Sequence, residues 1–525
     1  MQSGEWYFAF FALFAFLYFL VPLKAQKWLL LAGNFLFYGI FCGVWGFLFL
    51  VALSGLSWGM GRRIAVLRAR EKAQLDYRRK ENLWSREERW SYHERSLRRQ
   101  KVFLGLGVSG GILLLAAFKY LFPHLFSISG AWRGIGGGWI LPLGISFTTL
   151  AAIGYMVDAY RGETTGEEKP WQVTLFLFYF PQMMQGPIPR YGELLPELCA
   201  EHTFDAERTM AGACRMVWGY LKKMVIADTV GIAVLSVRGH TECFTGWALL
   251  IPVVLYGIQI YGDFTGGMDV ALGFSEILGI RMQENFDHPF SSCSVKAYWR
   301  RWHMSMGRWF TDYVFYPLSA GTRMQKLSRW VRKKWGDAAA CRVPLWLATL
   351  ITWVLTGLWH GVSWNFVVWG LCNGLWILLS QETEALRHRW SECMHICRAF
   401  RCVGTFLVVG AFRLLDIFPD VGTTVRLWGS FWVLPWRVDA AFSLTDGGWW
   451  LALSGAEWGL VVAGVLLMAG VSHWNQEGTS RPLRYRLAAR PYLWALLMAL
   501  AVTAVLVFGQ YGNGYDPMDF IYGRY

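Results

Sequence analysis

Between Trp28 and Met60 the chain carries no formal charge. A helix needs about 20 apolar residues to cross the hydrocarbon core of a bilayer, and lipid offers nothing to satisfy an open backbone. If Lys24, Lys27 and Arg62 share one side of the membrane, two spans must fit into about 33 residues. Each is then short, which calls for a locally thinned bilayer or helices broken near Gly39–Gly46. Further apolar runs stand at 5–22, 102–118, 138–157, 246–280, Val343–Leu379, 403–415, 449–472 and 491–510. The expectation is an all-α polytopic membrane protein of about 11–13 transmembrane or re-entrant helices. No internal repeat of transporter type is visible.

Composition agrees, with 55% hydrophobic and only 16% charged residues and a mean hydropathy of +0.31. The net charge of +14 lies in loops between apolar runs, as the positive-inside rule requires, and forms no nucleic-acid-binding motif. Residues 62–101 hold fourteen Lys/Arg against six Asp/Glu and read as a cytoplasmic helical hairpin or solvated tract. Stretches 323–342 and 475–490 are placed on the same side, and Leu121–Gly137 outside. The start, Met1 to Trp6, has no basic n-region, so the first helix reads as retained. Four divisions follow: N-terminal helices 1–61, the basic loop 62–101, a core 102–400 and C-terminal helices 401–525.

Two pieces forbid regular spans. Leu141-Pro-Leu-Gly-Ile-Ser-Phe147 is expected to kink or open a helix at Pro142 and Gly144. Phe176–Tyr191, FLFYFPQMMQGPIPRY, carries Pro181, Gly186, Pro187 and Pro189. It reads as a re-entrant segment, because irregular backbone survives at membrane depth only when buried or lining a cavity.

Polar groups inside apolar runs are the functional candidates, since their burial is costly. His360 is one, in Thr352-Trp-Val-Leu-Thr-Gly-Leu-Trp-His-Gly-Val-Ser-Trp-Asn365, where Gly357 and Gly361 have the spacing that admits a second backbone. Its bland alternative is a structural histidine bonded to a carbonyl or a Trp N–H. Asp263 and Asp269 lie in Tyr261-Gly-Asp-Phe-Thr-Gly-Gly-Met-Asp269. They read as structural polar residues that pair with other charged groups, the arginines near 300 included, with orienting a histidine or capping a broken helix end as the alternatives. Lys222 and Lys223 are placed at a membrane interface. His303 stands among Arg300, Arg301 and Arg308 in an aromatic stretch, which alone reads as an interfacial helix. The ten cysteines imply no disulfide framework. Cys393, His395, Cys397 and Cys402 crowd one segment in no trusted zinc pattern, so no metal is assigned.

The Trp299-Arg-Arg-Trp-His303 segment followed by Gly357-Leu-Trp-His-Gly361 with Trp364 and Asn365 resembles the membrane-bound O-acyltransferase superfamily. The resemblance is to the bacterial branch that acylates exported glycans, whose known cases are alginate O-acetylation and teichoic-acid D-alanylation. Gly186, Pro187, Ile188 and Arg190, the Asp263-Phe-Thr-Gly266 stretch with Asp269, and Glu284-Asn-Phe286 match that branch as well. Length and the ending after Phe508 are more similar to alginate-type members.

That resemblance implies a helical bundle around a central tunnel in the bacterial cytoplasmic membrane. It implies an O-acyltransferase that takes an acyl group, acetyl first, from a cytoplasmic thioester on coenzyme A or a phosphopantetheine carrier. The acceptor is a hydroxyl of an exported glycan or of an extracytoplasmic SGNH-type relay protein, and no cofactor is permanently bound. His360 is then the catalytic histidine, a desolvated neutral base. His303 would position the thioester or assist proton transfer. Arg300 and Arg301 suit the donor's phosphates. Trp359 and Asn365 are further substrate- or donor-site candidates, Asn365 polarising a carbonyl or packing helices. D-alanyl transfer, a transporter and a structural subunit of an export complex stay open as alternatives.

Overall fold

The computed structural model describes residues 5–81, 83–124, 141–183, 185–383, 396–433, 445–446, 449–475 and 481–510. The loop 121–137 beyond His124, the basic piece 387–395 and the ending after Gln510 lie outside the described residues. The chain is an all-α polytopic membrane protein; among the described residues the helices are relieved by a hairpin of two-residue strands, Thr445–Asp446 and Trp449–Trp450, and by isolated bridges. Among the described residues six helices are long and apolar enough to cross a membrane: Gly43–Lys80, Arg86–His124, Gly246–Leu278, Thr322–His360, Gly455–Trp474 and Pro491–Phe508. Two compact units form, one from residues 1–209 and 274–282, the other from 210–273 and 283–525.

In the first unit the uncharged run from Trp28 breaks where expected. Helix Gln26–Phe41 ends, Gly43 takes φ +60°, and helix Gly43–Lys80 begins. The basic tract is a helical hairpin whose arms prolong two spans, and a Ser85–Glu88 capping box starts the second arm. Buried Glu71 joins the arms by accepting from Gln100 Nε2 at 2.6 Å and contacting the His93 ring. Residues 141–144 are not helical, and helix Ile145–Arg161 starts after Gly144 at φ +66°. The Pro/Gly-rich piece follows the short helix Pro170–Leu177 with a 3₁₀ turn, Phe180–Met183, and residues 186–190 are non-helical up to helix Tyr191–Cys199. Asn34 Oδ1 accepts the Phe180 N–H at 3.0 Å, supplying the bond that a helix would have given. The Phe180 ring is surrounded by Phe10, Phe11, Phe14, Phe37 and Phe274.

The second unit begins within helix Ala206–Tyr220, which runs on through a π-helical stretch, Leu221–Ala227, into helix Asp228–Gly239. This helical run lies against helix Leu250–Leu278, which is continuous through Asp263 and Asp269. The glycines among those carboxylates therefore make a packing seam, and the expectation of a broken helix end is corrected. A Cβ on Gly219 would come 2.5 Å from Gly266 O, and one on Gly266 2.8 Å from Gly219 O. Lys222 and Lys223 lie along this seam. They are corrected from an interface to the interior, at 5% and 4% exposure. Lys223 Nζ sits 2.6 Å from Asp228 and 2.8 Å from Asp263, and Lys222 Nζ 2.6 Å from Asp269. Arg215 Nε bonds Asp269 at 2.8 Å while its Nη atoms hold Glu284 at 2.8 and 2.6 Å. The carboxylates thus pair with Arg215, Lys222 and Lys223 and not with the arginines near 300, because charges in an apolar medium are affordable only when neutralised at contact distance.

Candidate active site

All the candidate residues lie in the second unit. Helix Thr322–His360, bent where Gly336 leaves helical geometry, returns through Gly361 into helix Trp364–Glu382. Close approach at Gly357 seats the hairpin, and His360 ends the first arm at 6% exposure. Its ring stacks on Phe366 at 6.1 Å and meets Trp369 edge-on at 5.1 Å and Trp359 at 4.9 Å.

His303 arrives by a different route. Residues 285–287 and 301–304 run antiparallel, with Phe286 bridging Trp302. Asp287 N–H donates to Arg301 O and Met304 N–H to Asn285 O, both at 3.0 Å. His303 takes φ +49° there, a left-handed conformation sparsely populated outside glycine. It is fully buried. Its ring meets Phe264 edge-on at 4.7 Å, and its Nδ1 lies 3.1 Å from Asn285 Nδ2. Burial, with His360 and Arg413 acting on it, pushes this imidazole well below its ordinary value, which keeps the ring neutral. Trp359 links the two histidines, its ring 6.3 Å from His303 and 4.9 Å from His360. Two motifs far apart in sequence therefore share one aromatic cluster.

The remaining candidates separate. Arg300 is exposed and lines a cavity of about 490 Å³ with Lys296, Arg308, Asp312, Trp353 and Thr356. Arg301 turns elsewhere, donating to Ser291 Oγ at 2.9 Å with Nε 3.7 Å from Asp287. Asn365 Nδ2 donates to Leu415 O at 2.9 Å and Phe418 O at 3.0 Å, where it ties down the end of helix Ile396–Ile417. A second cavity, of about 520 Å³, is lined by Arg215, Lys222, Asp269, Glu284, Asn285 and Phe286. Trp302 and Met304 reach the first cavity, Asn285 and Phe286 the second. Each of the two paired segments, 301–304 with His303 and 285–287 beside it, thus faces one of them.

Sequence reasoning missed Arg413, buried at 3% exposure. Its guanidinium lies 4.5 Å over Trp302 and 5.7 Å over Trp299, and Nη2 donates to Tyr298 OH at 3.3 Å. A lone cation in the apolar run 403–415 was the available signal, the same one that marks His360. Asn285 was read as part of a motif but given no role. Cys393 and His395 and the Cys397 side chain lie outside the described residues. Cys402 lies 3.6 Å from Cys293 and donates to Ser291 O.

Residues 169–333 match the membrane-bound O-acyltransferase family, a range that includes His303 and stops before His360. A probable alginate O-acetylase of Azotobacter vinelandii is 28% identical over 419 residues, 78% of this chain and 73% of that protein. A peptidoglycan O-acetyltransferase of Helicobacter pylori is 27% identical over 307 residues, 53% of this chain and 54% of that protein. A teichoic acid D-alanyltransferase of Bacillus subtilis is 27% identical over 285 residues, 51% of this chain and 68% of that protein. Residues 169–333 carry a membrane-bound O-acyltransferase family domain, and the chain is an O-acyltransferase more similar to the alginate-type acetylases than to the teichoic-acid type.

Proposed function

We propose that the chain moves an acetyl group from a cytoplasmic thioester to a hydroxyl of an exported glycan, or of a relay protein that passes it on, in a bacterial cytoplasmic membrane. The observation that carries this reading is the meeting of His360 and His303 across Trp359, beside a basic cavity. The relatives named as alginate O-acetylase and peptidoglycan O-acetyltransferase support acetyl as the group and a glycan as the acceptor.

Attack of a hydroxyl on a thioester requires the hydroxyl proton to leave as the C–O bond forms. His360 takes it: its imidazole stands among the rings of Trp359, Phe366 and Trp369, and an imidazole nitrogen is the usual base for such a proton. The C–S bond then breaks, and the proton passes from His360 to the departing thiolate. Lys296, Arg300 and Arg308 suit the phosphates of coenzyme A or of a phosphopantetheine arm.

The test is transfer of labelled acetyl from acetyl-CoA to a glycan oligosaccharide by the purified protein in lipid nanodiscs. His360→Gln keeps hydrogen bonding and bulk but takes no proton near neutral pH. It should lower turnover by the roughly 10²–10⁴-fold attributed to general base catalysis, with a thermal melt near wild type. An active Gln variant would overturn the base role.

A further inference from the structure

Asn285, fully buried, is engaged from two sides. The backbone N–H of Ser305 points at its Oδ1 from 2.8 Å. A main-chain N–H only donates, so the amide face toward Ser305 must be the oxygen. The NH₂ group then faces His303, whose Nδ1 lies 3.1 Å from Nδ2. An amide nitrogen also only donates, so Nδ1 must be the accepting nitrogen of the ring. The same Nδ1 lies 3.4 Å from Oδ1, longer than the contact to Nδ2 and beyond the usual N–H···O range of about 2.7–3.2 Å. Turning the amide over would set two donors against each other at Ser305. The main chain holds this arrangement in place, because Asn285 O accepts Met304 N–H next to His303.

We propose that Asn285 fixes His303 as the neutral tautomer with its proton on Nε2, which makes His303 the hydrogen-bond donor to the thioester carbonyl and leaves the base role to His360. A neutral imidazole has one donor and one acceptor, and here the acceptor is held by the protein. This inference rests on the acyl-transfer reading. As the hydroxyl oxygen bonds to the carbonyl carbon, negative charge gathers on the carbonyl oxygen. A donor already in place steadies that charge without giving up its proton. The acceptor proton goes to His360, then to the thiolate sulfur when the C–S bond breaks. Asn285 acts through His303 and is a positioning residue.

Two pairs of variants test this, with acetyl transfer in nanodiscs and thermal melts as readouts. His303→Gln retains an N–H donor on a side chain of similar reach but takes no proton, whereas His303→Ala offers neither. The Gln variant should turn over at least about tenfold faster than the Ala variant and keep the acidic limb of the wild-type pH–rate profile. Asn285→Asp supplies a carboxylate that accepts from Nδ1–H, so the ring is reversed and Nε2 presents a lone pair. Its kcat should fall about 10²–10³-fold, the range for loss of one oxyanion donor, with the donor KM near wild type. Adding Asn285→Asp to His303→Gln should change kcat little, because no tautomer remains to be set. A Gln variant as inactive as Ala, in protein that melts like wild type, overturns the donor role. So does loss of the acidic limb in His303→Gln. If the wild type transfers no acyl group from any thioester donor, the acyl-transfer reading itself fails.

Discussion

A Cβ on Gly357 would stand 2.2 Å from the carbonyl oxygen of Phe366, so these two residues touch backbone to backbone. The Phe366 ring in turn stacks on His360 at 6.1 Å. The glycine therefore sets the distance between the two arms of the hairpin, and that distance sets the imidazole. Gly357→Ala should cost about 1–3 kcal/mol, the usual range for overpacking, and should lower acetyl transfer by displacing His360. A thermal melt beside a turnover assay checks it. Unchanged melting would mean that the helices separate freely at this point.

Arg300 and Arg301 are adjacent in sequence and do different work. Arg300 lines the basic cavity, so Arg300→Gln should raise the donor KM about 10-fold, on the scale of one charge-assisted hydrogen bond. Arg301 joins Ser291 and Asp287, so Arg301→Gln should lower the melting temperature and leave the donor KM unchanged. Donor titrations of both variants decide the matter. Equal effects on KM would contradict this division.

Lys223 is the shared cation of Asp228 and Asp263, the latter only 1% exposed. Lys223→Met strands a buried carboxylate and should cost about 3–5 kcal/mol. Combining it with Asp263→Asn removes the more deeply buried of the two carboxylate charges and leaves only the better-solvated Asp228, so the double variant should be less damaging than Lys223→Met alone. Melting curves in detergent measure the difference. A double variant worse than the single one would show that the ion pair is not the unit of stability here.

The basic hairpin should face the cytoplasm, because Lys/Arg asymmetry orients short loops. Glu81→Cys, at the end of helix Gly43–Lys80, should add no reaction with a membrane-impermeant maleimide in intact cells beyond that of the parent protein. It should react in inverted vesicles. Labelling from outside the cell would reverse the orientation and move the donor side with it.

Much of this molecule was legible in one dimension. Uncharged runs of membrane length must become helices, since lipid cannot satisfy an open backbone. The breaks at Gly43 and at residues 141–144 follow from glycine and proline chemistry. The spacing of Gly357 and Gly361 marked a close helix contact, which Phe366 supplies. Both histidines stood out as titratable groups in costly or unusual settings. The charge pairing was not legible. Lys222 and Lys223 read as interfacial because a local window cannot see Asp263 and Asp269, which reach them only after Gly219 and Gly266 bring two helices together. Arg413 belongs with Trp302, and Asn285 with His303, for the same reason. Apolarity along the chain decides which segments leave water, because transfer is nearly additive residue by residue. Which buried charges neutralise one another, and which ring nitrogen is held, depends on contact distances that exist only once the helices have packed.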